Sequence, residues 1–272
     1  MTTAVVVADE TTTTTRTRTG TASRRIPLGR LIGVELRKMF DTRSGFWLMA
    51  SIVIVNLLAT AAVVTFAPDE ALTYDNFAAA IGAPMTVILP MIGILAVTSE
   101  WSQRSGLTTF TLVPHRGRVL WAKFLCAVGV GVVAMFVALV IGALGNVVGT
   151  AIAGTDPVWN VSVSEFALIV LGSVLGMVFG FMLGVLIRNS AGAIVAYFVY
   201  SFVLPPLTEL LAASQQWFAD IRPWVDFSYA QFPLFDGEMG GEQWAHLAVT
   251  GTVTLLVPLA IGLLLVRRSE VK

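Results

Sequence analysis

The chain has 272 residues, of which 56% are hydrophobic and 12% are charged, and its formal net charge is zero. A soluble domain carries roughly 25% charged residues, so this composition excludes an ordinary soluble domain. It favours a stack of membrane-spanning helices, each about 20 residues long. The single cysteine, Cys126, excludes a disulfide within the chain.

The N-terminal segment is rich in threonine up to about Ser23. Its longest apolar run is Ala4 to Val7, far short of the roughly 7–15 residues in the core of a secretory signal. We therefore expect residues 1–25 to form a disordered cytoplasmic tail. A six-helix transmembrane domain is predicted over 26–268, followed by a cytoplasmic end over 269–272.

Residues 28–40 precede the first long apolar run and show helical periodicity. Their apolar side chains share one face, while Arg30, Arg37 and Lys38 lie opposite or at its edge. This pattern is typical of an interfacial helix on anionic headgroups. Glu35 falls within the apolar stripe, and two interpretations are open. It either snorkels beside Lys38, or contacts a basic residue of the next cytoplasmic loop or of a partner protein.

Six apolar stretches are long enough to cross a hydrocarbon core of about 30 Å. The predicted spans are Phe46–Phe66, Phe77–Ser99, Phe124–Val148, Phe166–Ile187, Ala191–Leu211 and Ala245–Val266.

The distribution of charge predicts the orientation, because Lys and Arg in short loops are retained on the cytoplasmic side. With both termini inside, every lysine and arginine except Arg222 is cytoplasmic, and most acidic residues lie outside. We therefore predict an all-α, multi-pass protein of the cytoplasmic membrane. His115 and His246 then lie on opposite sides, so we expect no metal site.

The longest predicted inside connection between spans runs from Thr98 to Leu125. Gly106 and Pro114 would bound a short helix within it, and a rigid element transmits a push that a flexible loop absorbs. Its charged residues, among them Glu100 and Arg104, are explained either as anchors of the span ends or as contacts to a cytoplasmic partner.

The predicted fourth span carries glycine at every fourth position over three helical turns. Small residues at this spacing let another helix backbone approach closely in lipid. We therefore expect this span to be central and not lipid-facing. The glycines are Gly172, Gly176, Gly180 and Gly184.

Near the outer end of the predicted fifth span, Pro205 and Pro206 remove two backbone donors, and Glu209 follows them. The proline pair predicts a break or kink in the helix. The connection from Ala212 to Trp244 is rich in aromatic residues, some of which an aromatic belt explains. The number of aromatic residues exceeds what a belt requires and predicts short helices that dip back into the outer leaflet.

No motif predicts catalysis. The chain contains neither HExxH nor the phosphate-binding GxxxxGK[ST]. Ionisable residues within the spans, which mark proton and ion paths, are nearly absent. We expect neither an enzyme nor a cofactor in this chain.

In their order and placement, these features resemble the ABC-2-type transporter permeases. The resemblance runs from about Pro27 to Arg268 and is carried by two motifs. They are Glu35-Leu36-Arg37-Lys38 at the end of the amphipathic helix, and Glu100…Gly106-Leu107-Thr108…Leu112…Pro114…Arg118…Lys123 in the inside connection.

The resemblance implies the permease subunit of an ABC exporter, with two membrane subunits and two cytoplasmic ATPases that hold ATP and magnesium. The substrate, lipid, drug or antibiotic-like, would move outward. The resemblance also implies broken re-entrant helices between the last two spans and no nucleic-acid partner. The amphipathic helix and the inside connection would dock on the ATPase, through Glu35, Arg37, Glu100, Arg104, Pro114, Arg116 and Arg118.

Two alternatives come from other classes. One is a membrane scaffold or sensor subunit that transports nothing. The other is an ion-coupled secondary carrier, which inverted repeats would favour. The first three spans show no convincing pairing with the last three.

Overall fold

The computed structural model describes residues 27–102 and 116–268. The predicted tail over 1–25 and the predicted end over 269–272 lie outside these residues. Within the described ranges the regular structure is helical, with one isolated parallel bridge between Thr73 and Val158. The prediction of an all-α fold is confirmed.

The α-helices, numbered in chain order, are joined by a 3₁₀ turn at Asp69–Ala71 and by π-helical turns at Val199–Val203 and Thr252–Leu256. They are α1 (Leu28–Asp41), α2 (Arg43–Phe66), α3 (Tyr74–Ser102), α4 (Arg116–Ala153), α5 (Val163–Ile187), α6 (Ser190–Phe198), α7 (Leu204–Ser214), α8 (Gln216–Val225), α9 (Phe227–Gln231), α10 (Pro233–Asp236), α11 (Gly241–Gly251) and α12 (Val257–Arg268).

Six helical segments of the described chain are long and apolar enough to cross a membrane, which confirms the predicted number. Four are single helices, whereas the fifth joins α6 to α7 and the sixth joins α11 to α12 through the π-helical turns. The segments are Gly45–Phe66, Tyr74–Ser99, Gly117–Ala153, Val163–Ile187, Ser190–Ser214 and Gly241–Val266.

The third spanning helix, α4, is longer than the sequence predicts. It has 38 residues, about 57 Å at 1.5 Å per residue, which is well beyond a hydrocarbon core of about 30 Å. Residues 116–125, which the sequence places in the connection, are helical and continuous with the span. No proline interrupts this stretch, and its Leu, Ala, Lys and Arg residues favour a helix, although Gly117 does not.

Both π-helical turns come just before prolines. Proline has no N–H, so it leaves a carbonyl of the preceding turn without its usual partner, and a π-helical turn is one way to rearrange those bonds. In the fifth span, Val199–Val203 precedes Pro205 and Pro206. In the sixth span, Thr252–Leu256 precedes Pro258. The sequence predicts the first interruption but not the second.

Helix α5 occupies the centre of the bundle. It contacts α3, α4, α6, α10 and α12, and its contact with α3 is the most extensive in the described structure. Every residue from Met177 to Met182 is buried. The fourth span is therefore central, as its glycine spacing predicts.

The closest approach of α5 to α3 depends on glycines of both helices. A Cβ atom added to Gly180 would lie 2.9 Å from the carbonyl carbon and the Cα of Pro90, and one at Gly184 would lie 3.1 Å from the Ile94 carbonyl oxygen. On α3, a Cβ at Gly93 would overlap the α5 backbone. The sequence alone does not identify Gly93 as a contact residue, because the part of α5 that it packs against is known only from the folded structure.

The other two glycines of α5 have different surroundings. A Cβ at Gly172 would lie 2.9 Å from the ring of Phe235 on α10, whereas one at Gly176 would meet nothing closer than 3.8 Å. The four glycines therefore do not form one continuous close crossing. Gly180 and Gly184 let α3 approach closely, Gly172 makes room for an aromatic ring, and a Cβ at Gly176 would make only ordinary contacts with Pro90 and Gln231.

We predict that Gly180→Ala lowers stability by about 1–3 kcal/mol, the usual cost of overpacking, because the Pro90 backbone cannot move aside. Gly176→Ala is the matched control and should leave the thermal midpoint nearly unchanged. The measurement is thermal unfolding of both purified variants in detergent. Equal midpoints for the two variants would show that the α3–α5 contact is looser than described.

Candidate functional site

The amphipathic helix α1 packs against the predicted cytoplasmic end of the bundle, where it contacts α2 and α4. It ends at Asp41, and the extended backbone of Thr42 separates it from α2. The Thr42 hydroxyl accepts a hydrogen bond from the Gly45 N–H at 3.1 Å, which caps the first turn of α2. This junction fixes the direction in which α1 leaves the first span.

Glu35 is the buried residue of α1, with 6% of its surface exposed. Its carboxylate accepts hydrogen bonds from Lys38 Nζ at 2.8 Å and from Lys123 Nζ, on α4, at 2.5 Å. Lys38 is partly exposed, whereas Lys123 is buried. The contact with a basic residue from the predicted inside connection is therefore present. The carboxylate also contacts Lys38, but it is buried, so the interpretation that it snorkels is wrong.

The charge of Glu35 is maintained by its partners. Burial by itself would raise the pKa of the carboxyl group, but the ammonium groups of Lys123 and Lys38 hold the pKa of Glu35 below its ordinary value of 4.5. The carboxylate is thus ionised at neutral pH. Removal of a partner from a buried charge of this kind strongly destabilises the folded protein.

A second contact lies beside the ion pair. The Cys126 thiol donates a hydrogen bond to the Ile32 carbonyl oxygen at 3.3 Å. Cys126 and Lys123 are three residues apart, so they share one face of α4. Helix α1 is therefore held to α4 at two successive positions along its length.

The remaining residues of the predicted ATPase contact are only partly described. Arg37 is exposed on α1, and Arg118 is partly buried in the first turn of α4. Glu100 lies near the end of α3 and Arg116 begins α4, but the positions of their side chains are outside the description. Arg104 and Pro114, and the short helix predicted between Gly106 and Pro114, also lie outside the described residues.

A second cluster of charges lies at the opposite, predicted outer end. Arg222 of α8 is 8% exposed. Its Nη1 donates to Glu209 Oε2 of α7 at 2.5 Å, and its Nε donates to Asp226 Oδ2 at 3.3 Å. The guanidinium carbon also lies 4.5 Å from the centroid of the Tyr229 ring. Asp226 accepts a further bond from the Thr208 hydroxyl at 2.8 Å. These groups, the Arg222 cluster, tie α8 to the end of the fifth span.

Arg222 is held in its charged form. Burial alone would lower its pKa, but hydrogen bonds to Glu209 and Asp226 and the charges of both raise the pKa of the guanidinium above its ordinary value. The sequence identifies Glu209 as a candidate but misses Arg222 and Asp226. The sequence does contain one indication that Arg222 is unusual, because it is the sole lysine or arginine on the predicted outer side.

The short helices α8 to α10 pack back between the spans. Phe227 of α9 is buried and stacks on Phe179 of α5, with ring centroids 6.3 Å apart. Gln231 Nε2 donates to the Gly172 carbonyl oxygen at 2.7 Å. Phe179 lies 16 residues after Val163, the start of α5, or about 24 Å along the helix. Short helices are therefore present between the last two spans, and α9 and α10 contact the central helix. That they dip into the outer leaflet stays a prediction.

A comparison with known protein families and with curated protein sequences finds no match to this chain. The fold defines a class, the multi-pass α-helical membrane proteins, with six spans, an amphipathic helix before the first and three short helices between the last two. Among the described residues, no group of three or more His, Cys, Asp and Glu side chains is placed to hold a metal ion.

We predict that Lys123→Ala destabilises the protein by about 3–5 kcal/mol, because it leaves the Glu35 carboxylate buried without its main partner. Lys38→Ala is the control and should cost about 1 kcal/mol or less, since Lys38 is partly exposed. Combining Glu35→Gln with Lys123→Met should cost less than the sum of the single changes. Thermal unfolding of the five purified variants, which include Glu35→Gln and Lys123→Met as single changes, measures these differences.

The same pair predicts a dependence on pH. The pKa of Glu35 is lowered in the folded state, so its contribution is complete above the ordinary value of 4.5 and is lost as the pH falls through the lowered value. Glu35→Gln should therefore flatten the acid limb of the stability profile. An unchanged acid limb, or equal costs for the two lysines, would contradict the buried ion pair.

We predict that the two acidic partners of Arg222 differ in their effect on stability. Asp226 is about 10% exposed and also caps α9 through the Tyr229 N–H, whereas Glu209 is 70% exposed. Asp226→Asn should cost about 2 kcal/mol or more, and Glu209→Gln about 1 kcal/mol or less. Thermal unfolding compares them, with Asp220→Asn of α8 as a control. A larger loss for Glu209→Gln would show that the cluster is arranged differently.

Proposed function

We propose that this chain is the membrane-spanning permease subunit of an ABC-type exporter in the cytoplasmic membrane, driven by a separate ATPase. It works with a second permease subunit and moves a lipid, drug or antibiotic-like substrate outward. ATP and magnesium belong to the ATPase, since the chain has no phosphate-binding loop of its own.

The observation that carries this proposal is the buried contact between Glu35 of α1 and Lys123 of α4. It joins a surface helix to a span whose first turns extend beyond the apolar core on the same side. Residues 103–115 connect α3 to the start of α4 at this end. A push on that connection reaches α4 directly and reaches α1 through the ion pair.

Continuity of α4 supports its role as a lever. It is a single helix of 38 residues, so displacement at Arg116 is carried rigidly along the span and not absorbed in a loop. The close α3–α5 contact carries motion of α3 onward to the central helix. The short helices α9 and α10, which pack against α5, complete a path from the predicted inner side to the predicted outer side.

The distribution of buried charge argues against an ion-coupled carrier. Such carriers place ionisable groups near the middle of the membrane. Among the described residues, the buried charged side chains are Glu35, Lys123 and Arg222. Each lies near one end of the bundle and is paired there, so none offers a relay across the centre.

We predict that the tagged chain copurifies with an ATPase when expressed from its own genomic context, and that it does not hydrolyse ATP alone. Native mass spectrometry should find two ATPase subunits and two six-span subunits, either two copies of this chain or this chain with a second permease subunit. ATP hydrolysis by the pure chain would contradict the proposal, as would a strictly monomeric chain in the presence of the ATPase.

A double variant distinguishes the proposed permease from the alternative, a scaffold that transports nothing. Glu100→Ala combined with Arg104→Ala should insert normally but lose ATPase association or substrate-stimulated hydrolysis, because both residues lie at the connection between α3 and α4. Glu70→Ala combined with Asp75→Ala, on the predicted outer side, is the matched control. Full substrate-stimulated ATP hydrolysis with the Glu100→Ala and Arg104→Ala variant would show that this connection does not couple the ATPase to the spans.

A further inference from the structure

A cavity of about 600 Å³ lies beside the Arg222 cluster, between the end of the fifth span and helices α8 to α11. Its size falls within the range of small-molecule sites, roughly 300–1,000 Å³. The residues of its wall that carry charge are Glu209, Arg222, Asp226, Asp236, Glu242 and His246. The transport proposal does not assign any ligand to this place.

The charge of the wall favours a cation. Four carboxylates line it against one guanidinium, and that guanidinium is already engaged by Glu209 and Asp226. An anion would therefore meet an excess of negative charge and an arginine that is already paired. Asp236 and Glu242 remain on the wall outside this ion pair, and both are exposed.

The apolar part of the wall favours an organic cation over a metal ion. Tyr229 and Phe232 line the cavity and are 45% and 62% exposed. An aromatic face attracts ammonium groups, and quaternary ammonium ligands are recognised in this way. The Arg222 guanidinium, 4.5 Å from the Tyr229 ring centroid, shows that this ring already accepts a cation on one face.

A further polar atom on the wall is unsatisfied. His246 lines the cavity with its Nε2 buried, and this atom has no hydrogen-bond partner in the described structure. Its nearest charged neighbour is Glu242 Oε1 at 3.7 Å, beyond hydrogen-bond distance. A buried ring nitrogen without a partner carries a cost.

We propose that this cavity binds an organic cation, namely an ammonium group carried on an apolar body. The carboxylates of Asp236 and Glu242 supply the charge, and the rings of Tyr229 and Phe232 supply the apolar and cation–π surface. The group is either the headgroup of a lipid or a free amphiphilic cation. Neither nucleotide nor a partner subunit is needed for binding, so the inference stands apart from the transport proposal.

The test is equilibrium binding of benzyltrimethylammonium to the full chain purified in a neutral maltoside detergent, with benzenesulfonate as the anionic comparison. Asp236→Asn combined with Glu242→Gln should weaken cation binding about tenfold, because two carboxylates facing the ammonium are removed. Glu238→Gln is the matched control, since Glu238 lies between them in sequence but not on the wall. Its affinity should stay within about twofold.

A second variant tests the aromatic surface without touching charge. Phe232→Leu keeps an apolar side chain at an exposed position but removes the ring, so it should weaken cation binding about threefold and leave the thermal midpoint unchanged. No saturable binding by the wild-type chain would overturn the proposal. Equal binding of benzenesulfonate, or equal affinities for the double variant and the Glu238→Gln control, would also overturn it.

Two environments distinguish the sources of the cation. Maltoside micelles offer no ammonium group, whereas nanodiscs of phosphatidylcholine offer a quaternary ammonium headgroup. Weaker binding of the soluble cation in the nanodiscs, together with the effect of the double variant, assigns the cavity to a lipid headgroup. The same affinity in both environments, again with the effect of the double variant, assigns it to a free cation.

Discussion

The close contact between α3 and α5 sets the positions of most other helices. Gly180 and Gly93 remove the side chains that would hold the two backbones apart, so the helices pack directly on each other. In lipid, where apolar surface alone gives little drive for helix association, such close packing supplies much of the stability. Because α4, α6, α10 and α12 all contact α5, the location of this pair determines where the remaining spans and the short outer helices can lie.

Charge is buried at both ends of the bundle, and each buried group has a structural partner. Glu35 joins α1 to α4 at the predicted inner end, and Arg222 joins α8 to the fifth span at the predicted outer end. The centre contains apolar side chains and a few amides and hydroxyls, with Asn56 completely buried. Because unpaired charge is expensive in such surroundings, these two ion pairs fix elements that apolar packing alone would leave free to slide.

The sequence predicted the spans better than it predicted the sites. Runs of apolar residues identify a membrane helix, because length and composition alone decide whether it can span. The start of α4 was missed because Arg118 and Lys123 resemble loop residues, although a helix can continue through charges that find partners at its surface. Arg222 and Asp226 were missed, since the contact of Arg222 with Glu209 and that of Asp226 with Thr208 depend on how α8 folds back against α7. No local pattern encodes this fold.

The sequence by itself determined the number of spans, the all-α fold, the central position of the fourth span and the break at Pro205. Each follows from local chemistry, namely hydrophobicity, side-chain size or a missing backbone donor. Tertiary structure alone decided that Gly180 lies against the Pro90 backbone while Gly176 has room for a Cβ, and that Glu35 contacts Lys123. It also decided that residues of five helices, among them acidic and aromatic ones, surround one cavity. These are contacts between residues distant in sequence, and only the packing of whole helices brings such residues together.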